Sequence, residues 1–167
     1  MKKQRSRNAK TKYTAQRLLM EVAAAAAVFV FIFTVLIGLS RVDGNSMSPT
    51  LENSRVVVYS RIGNSYKTGD VVAIRMPSGD RYVKRVIATE GDVVSLKDGV
   101  VNVNGKAIKE TYARGETRPQ AEWVKYPYTV NKDAVFVLGD NREVSVDSRT
   151  FGEVPTKNIT GRIVGIN

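Results

Sequence analysis

The sequence lacks both cysteine and histidine. The missing cysteine excludes disulfides, thiolate nucleophiles and cysteine metal sites, and the missing histidine removes the commonest general base and the commonest zinc ligand. Acidic residues are also scarce, since 16 Asp and Glu stand against 26 Lys and Arg. Any chemistry therefore has to use Ser, Thr, Lys, Tyr or carboxylate groups.

The net charge of +10 is concentrated at the N-terminus. Residues 1–17 hold seven basic residues and no acidic one, whereas the part after residue 39 holds 19 basic and 15 acidic residues. These later charges are spread over strands and turns without a basic stripe, so the pattern does not favour nucleic-acid binding. We interpret residues 1–17 as a basic cytoplasmic tail.

An apolar run separates this tail from the rest of the chain. Residues 22–39, VAAAAAVFVFIFTVLIGL, carry no charge, and a short apolar stretch before Glu21 extends them. Eighteen helical residues span about 27 Å, which covers most of the hydrocarbon core of a bilayer. The sequence predicts a transmembrane helix over residues 18–39, with the basic tail inside and residues 40–167 outside the cell. A cleavable secretory signal is the alternative, but this run is longer than the apolar part of most such signals.

Residues 40–167 contain short β-rich runs separated by turn residues. Glycines in these turns supply the positive φ angles that hairpins require. We expect a mostly β fold, an antiparallel and barrel-like domain, with a surface excursion over about 110–127. The predicted strands are 55–62, 70–76, 81–89, 92–96, 100–105, 134–139 and 161–166.

Two serines lie in the stretch GNSMSPT just after the apolar run. A tetrahedral intermediate needs main-chain N–H donors beside the nucleophile, and Ser48 is followed by Pro49, which has none. Ser46 is followed by Met47, which has one, so Ser46 is the better candidate nucleophile. Taken alone, the stretch is also compatible with a simple polar turn.

A lysine is the plausible base in a chain without histidine, provided that burial lowers its pKa towards neutrality. Most of the eight lysines after residue 39 lie in or beside turns or in the excursion. Lys84 alone lies within an apolar strand, where alternation places it on the face of Tyr82 and Val86 and turns Arg85 the other way. An edge-strand lysine that discourages aggregation is the alternative. We predict Ser46 as nucleophile and Lys84 as general base.

Four segments, in order, resemble the conserved boxes of bacterial type I signal peptidases, in the short Gram-positive form with one membrane anchor. They are GNSMSPTL, GDVVAIR, RYVKRVIATEGD and GDNREVSVDSRTFG, and the likeness spans nearly all of residues 18–167. The resemblance implies a serine endopeptidase in which Ser46 and Lys84 form a Ser/Lys dyad, on an antiparallel β fold at the outer membrane face.

The resemblance also implies supporting residues. Ser145 would hydrogen-bond and orient Lys84, and Asp147 and Arg149 would form a buried pair that braces the loop. An ion pair without a catalytic role is the alternative for Asp147 and Arg149. Gly44 departs from the longer Gram-negative members, which have a second serine there that assists the oxyanion hole, so the second oxyanion donor stays open.

The substrate follows from the same resemblance. A secreted preprotein, held in the membrane lipid by its signal segment, would pair with strand edges near Val42 and Val83 and be cleaved through an acyl-enzyme. No metal or cofactor is needed. The expected location is the cell membrane, with a single pass and the catalytic domain outside.

Three other functions fit parts of the pattern. A catalytically silent relative that assists the assembly of surface fibres would share the fold and anchor, but an intact Ser46 and Lys84 favour an enzyme. Self-cleaving repressor-type proteins use Ser and Lys on a related β fold, but the apolar run favours a membrane protein. An anchored binding module is the third.

Overall fold

A computed structural model describes residues 2–63 and 65–166 of the chain. The chain divides into two compact units, Met1–Ile37 and Gly38–Asn167. The first is helical, and the regular secondary structure of the second is mostly β-strand.

The helical unit consists of helix α1, Lys2–Phe31, which continues as a π-helix over Ile32–Leu36. Its segment Thr14–Leu36 has 23 residues and contains an 18-residue window with a mean hydropathy of 2.4, none of which is buried. By length and composition this segment can cross a membrane. It ends earlier than the sequence predicts, because residues 37–39 belong to the first strand of the β unit.

The β unit contains two sheets in the part of the chain that the structure describes. Strand order in the larger sheet is β1-β2-β11-β3-β4-β9-β10, and in the smaller one β7-β6-β5-β8. Two short helical segments, α2 (Ser148–Phe151) and a 3-10 turn (Thr156–Asn158), flank β10. The strands are β1 (Ile37–Arg41), β2 (Val56–Ser60), β3 (Val71–Arg75), β4 (Arg81–Thr89), β5 (Val93–Lys97), β6 (Val100–Val103), β7 (Lys106–Ala107), β8 (Tyr128–Thr129), β9 (Ala134–Leu138), β10 (Val154–Pro155) and β11 (Ile159–Ile163).

Strand β4 lies in the middle of the larger sheet and carries the buried core. It pairs antiparallel with β3 on one side, where Lys84 is opposite Val72, and with β9 on the other, where Arg85 is opposite Leu138. Strand β9 pairs only with residues 85–89 of β4. Residues 84–88 are all buried, while residues 81–83 are not.

The predicted antiparallel, mostly β fold is confirmed. Strand β4 has the predicted bounds, but β11 begins at Ile159, two residues earlier than expected. The sequence missed β1 because its residues continue the apolar run of the helix. It also missed β7, β8 and β10, since two residues are too few to show an alternating pattern.

The excursion over 110–127 is mostly irregular, as predicted, but it does not simply cover the surface. Its main chain bonds to the loop after β9: Arg114 N donates to Asp140 O at 2.7 Å, and Ala121 N donates to Arg149 O at 3.1 Å. Thr117 is buried within it. The excursion therefore packs against residues 139–152, the segment GDNREVSVDSRTFG, which we call the GDN box.

Candidate active site

The predicted nucleophile and base lie together. Lys84 Nζ is 2.7 Å from Ser46 Oγ, a hydrogen-bond distance. Ser46 belongs to the turn after β1, and the fully buried side chains of Met47 and Leu51 fasten that turn to the core. Gly44 opens the turn with a φ of +83°, a conformation that side chains other than glycine rarely adopt. The local sequence thus presents Ser46 to the middle of β4.

Lys84 is almost completely removed from water, with 1% of its surface exposed. This burial disfavours the ammonium form and lowers the pKa of Lys84 from 10.5 to about 8. The negative charges of Asp147 and Asp140 act in the opposite direction, and the positive charge of Arg149 adds to the lowering. The Tyr82 ring lies 5.4 Å from Nζ. About a tenth of the amine beside the serine hydroxyl is therefore neutral at pH 7, far more than for an exposed lysine.

The loop after β9 closes over the serine turn. Asn141 N donates to the Ser46 carbonyl oxygen at 3.0 Å, which fixes the two loops in register. Gly139 makes this approach possible, because a Cβ there would lie 2.5 Å from Ser46 O and 2.5 Å from Ser145 Cβ. The first residue of the GDN box is therefore a glycine for steric reasons.

Ser145 is buried in this loop, but the predicted hydrogen bond to Lys84 is not formed. Its Oγ is enclosed by protein and has no hydrogen-bond partner among the described residues. The main chain of Ser145 is held instead, since its carbonyl oxygen accepts from Gln120 Nε2 at 3.0 Å. A buried hydroxyl without a partner costs stability.

Asp147 and Arg149 form the buried pair that the sequence predicts. Arg149 Nε and Nη2 each lie 2.9 Å from one Asp147 carboxylate oxygen. The same carboxylate caps helix α2 by accepting from Arg149 N at 3.1 Å, and it accepts from Gly139 N at 3.0 Å. The pair thus connects the loop that carries Ser145 to the glycine behind Ser46.

A second buried ion pair escaped the sequence reasoning. Arg85 points away from Lys84, as alternation requires, but this side of β4 is also buried. Arg85 Nε and Nη2 bond the Asp140 carboxylate at 2.9 and 2.6 Å, and Thr50 Oγ1 donates to the same carboxylate. Asp140 of the GDN box could have indicated this pair, because a buried carboxylate requires a partner and Arg85 lies in a predicted strand.

The excursion contributes further residues that no sequence period could reveal. Glu110 pairs with the buried Arg142 of the GDN box, and Thr117 Oγ1 accepts from the same guanidinium. Gln120 bridges the loop and helix α2, since it donates to Ser145 O and accepts from Thr150 Oγ1 at 2.6 Å. These contacts explain why an irregular segment is needed near the site.

The two predicted substrate-binding positions, Val42 and Val83, differ in whether their main-chain N–H and C=O groups are free to pair with a substrate. Val42 is buried, and its N–H and C=O are already bonded to Arg55 O at 2.8 Å and Ser54 N at 2.9 Å. The prediction that Val42 offers a free strand edge is therefore not supported. Val83 lies in the half of β4 that β9 leaves uncovered. Val86 bonds main-chain groups of Gly69 and Asp70 on the β3 side, so alternation directs the N–H and C=O of Val83 to the open side.

An open pocket of about 390 Å³ lies over the dyad. Ser46 and Lys84 line it together with Gly44, Tyr82, Val144 and Val146. Among the described residues no group of three or more Asp, Glu, Cys or His side chains is placed to hold a metal ion.

Comparison with known proteins agrees with this geometry. Residues 15–166 match the family described as signal peptidase, peptidase S26. The chain is 34% identical to signal peptidase IB of Staphylococcus aureus, over 89% of this chain and 88% of that protein. It is 36% identical to signal peptidase I of Bacillus licheniformis, over 86% of this chain and 81% of that protein.

A solved structure supports the same conclusion. The crystal structure of a signal peptidase I from Enterococcus faecalis superposes with a TM-score of 0.52 at 30% identity, over 59% of this chain and 96% of that one. The chain therefore belongs to the signal peptidase family, peptidase S26, in its Gram-positive type, and is a peptidase.

Proposed function

We propose that this chain is a membrane-anchored serine endopeptidase that removes signal peptides from secreted preproteins by a Ser46/Lys84 dyad. The observation that carries the proposal is the 2.7 Å separation between Lys84 Nζ and Ser46 Oγ inside a site where Lys84 is 1% exposed. Family membership supplies the substrate class, and the geometry supplies the mechanism.

The reaction begins with a proton transfer from the serine hydroxyl. Neutral Lys84 Nζ accepts the proton of Ser46 while Oγ attacks the scissile carbonyl carbon. As the tetrahedral intermediate collapses, the C–N bond breaks and the Lys84 ammonium protonates the leaving amine. The products of this step are the released mature chain and an ester on Ser46.

Hydrolysis of the ester restores the enzyme. Lys84 accepts a proton from a water molecule whose oxygen attacks the ester carbonyl, and the proton then returns to Ser46 Oγ as the signal peptide leaves. The main-chain N–H of Ser46 makes no hydrogen bond in the described part of the chain, which leaves it free to stabilise the oxyanion in both steps.

The substrate occupies the open side of β4. Residues 81–84 have β3 on one side, while β9 pairs only with residues 85–89 on the other. An extended segment that ends at the scissile bond pairs with this edge through Val83. Asp43 and Gly44 line the pocket that this segment enters.

The apolar segment Thr14–Leu36 anchors the enzyme in the bilayer that holds its substrates. Basic residues precede this segment, so the tail remains in the cytoplasm and the β unit lies outside. Anchoring enzyme and substrate in one membrane raises their effective concentration.

The decisive experiment compares the full chain in lipid vesicles with four variants, using a model preprotein and mass analysis of the cut. Wild type and Ser48→Ala should release the signal peptide, whereas Ser46→Ala and Lys84→Met should release none above the uncatalysed rate while remaining folded. Lys97→Met, an exposed strand lysine, is the control for loss of a positive charge. Turnover in Ser46→Ala or Lys84→Met would overturn the dyad.

A further inference from the structure

Two exposed valines border the pocket over the dyad. Val144 is 59% exposed and Val146 is 48% exposed, and both line the pocket that contains Ser46 and Lys84. They alternate with the buried residues Ser145 and Asp147, so one side of this loop braces the site while the other faces the pocket. Nothing in the bracing network accounts for two apolar side chains left in water.

The path of the substrate indicates which part of it would contact these two valines, an argument that rests on the proposed function. A peptide paired with the open edge at Val83 occupies the position that β9 holds further along β4. Strand β9 blocks that path from Arg85 onward, where its last paired residue is Leu138. The segment after the scissile bond, here called the leaving segment, must therefore turn away from the sheet.

The loop that follows β9 lies where the leaving segment exits. Asn141 of this loop is bonded to the Ser46 carbonyl oxygen at 3.0 Å, so the loop lies beside the nucleophile. Val144 and Val146 are the apolar side chains that this loop contributes to the pocket. An apolar side chain on the leaving segment would cover them and remove apolar surface from water.

We propose that Val144 and Val146 are specificity-determining residues that bind apolar side chains in the first few residues after the scissile bond. They act on the part of the preprotein that becomes the mature N-terminus. Because the leaving segment departs in the first chemical step, these valines act on acylation and have no contact with the ester that remains.

The test uses three peptides with the same sequence before the bond. The first has Leu and Val in the leaving segment, the second has Ser and Asn there, and the third ends in a single reporter amine directly after the bond. Wild type is compared with the double variant Val144→Thr/Val146→Thr, which keeps side-chain shape but replaces a methyl group by a hydroxyl at each position. Val100→Thr, a 44% exposed valine of β6, is the matched control.

Wild type should cleave the first peptide with a higher kcat/KM than the second. The double variant should lose about tenfold in kcat/KM on the first peptide and change little on the second and third. The control should behave as wild type on all three. Equal losses on all three peptides, or none on the first, would overturn the proposal.

The measurement on wild type alone can also overturn the proposal that Val144 and Val146 determine specificity. If wild type cleaves the first two peptides equally well, the valines confer no preference, while the proposed peptidase function stands. If wild type cleaves none of the three, and the model preprotein also stays intact, both the proposed function and this inference fail.

Discussion

Gly139 lies directly against Ser145, so that a Cβ on the glycine would be 2.5 Å from the serine Cβ. The same Cβ would be 2.5 Å from the Ser46 carbonyl oxygen. The loop of the nucleophile and the loop of the GDN box therefore meet across a residue that has no side chain.

Gly139→Ala should separate these two loops and reduce activity strongly. Overpacking of a buried contact costs about 1 to 3 kcal/mol, and a shift of about 1 Å at the dyad can cost 100-fold in rate. Thermal unfolding measures the loss of stability, and kcat of the folded protein measures the loss of rate. Gly79→Ala is the control, since its turn has open space but a φ of +96°. Gly79→Ala should lose about 1 kcal/mol of stability and keep the wild-type kcat. An equal loss of kcat in Gly79→Ala and Gly139→Ala would contradict the steric explanation.

The pH dependence of cleavage follows from the state of Lys84. Burial lowers the pKa of Lys84 to about 8, and only the neutral amine can accept the serine proton. The value of kcat/KM should rise about tenfold per pH unit below pH 8 and level off above it. Asp140→Asn removes a charge that raises the pKa of Lys84, so its profile should move to lower pH. A flat profile between pH 6 and pH 9 would exclude an amine base.

Stability should depend on pH through the same residue. Because the pKa of Lys84 is about 8 when folded and 10.5 when exposed, the unfolded chain binds more protons between these pH values. The free energy of unfolding should therefore rise from pH 8 to pH 10.5. Lys84→Met should be more stable than wild type at pH 7, and the difference should shrink as the pH rises. Denaturant titrations at pH 7 and pH 10 measure this, and a constant difference would contradict the buried charge.

The absence of cysteine permits a clean test of topology. Ser6→Cys lies in the basic tail and Ser78→Cys lies in an exposed turn of the β unit. A membrane-impermeant maleimide added to intact protoplasts should label the second variant alone, and detergent should expose both. Labelling of Ser6→Cys in intact protoplasts would contradict the proposed orientation, and wild type serves as the unlabelled control.

Sequence reasoning selected Ser46 and Lys84, which lie within hydrogen-bond distance in the structure, because each has a local signal. Ser46 is preferred to Ser48 because the residue after Ser46 retains its N–H, whereas the oxyanion donor proposed from the structure is the N–H of Ser46 itself. Lys84 is the one lysine that the sequence places within an apolar strand. Strand β4 shows the alternation that distinguishes its two faces. The structure brings the two residues together across 38 positions of sequence.

The rest of the site depends on contacts between distant segments. Alternation turns Arg85 away from Lys84, but only the structure shows that this face is buried as well, with Tyr112 of the excursion packed on the guanidinium. Val42 was expected to offer a free edge, whereas its main chain is taken up by a turn that follows it by twelve residues. Gln120 lies in a segment without any period, so no local pattern indicates its contact with the loop.

The Arg85–Asp140 pair should be strongly coupled. Asp140 is fully buried, so Arg85→Met leaves a carboxylate without its cation and should cost about 3 to 5 kcal/mol. Asp140→Leu alone should be costly for the same reason. In the double variant the two losses should not add, and a double-mutant cycle on denaturation free energies gives the coupling. Additive losses would show that the pair contributes nothing beyond its separate residues.

Gln120 tests whether the excursion braces the site. Gln120→Glu keeps an acceptor for Thr150 but replaces the donor to Ser145 O by a negative charge. Since this bond holds the loop beside the dyad, the variant should lose about tenfold in kcat with little change in KM. Arg118→Gln is the control, because Arg118 belongs to the same excursion but forms only an exposed pair with Glu116. It should retain wild-type kcat. Wild-type kcat in Gln120→Glu, or an equal loss in both variants, would show that the excursion does not act through this hydrogen bond.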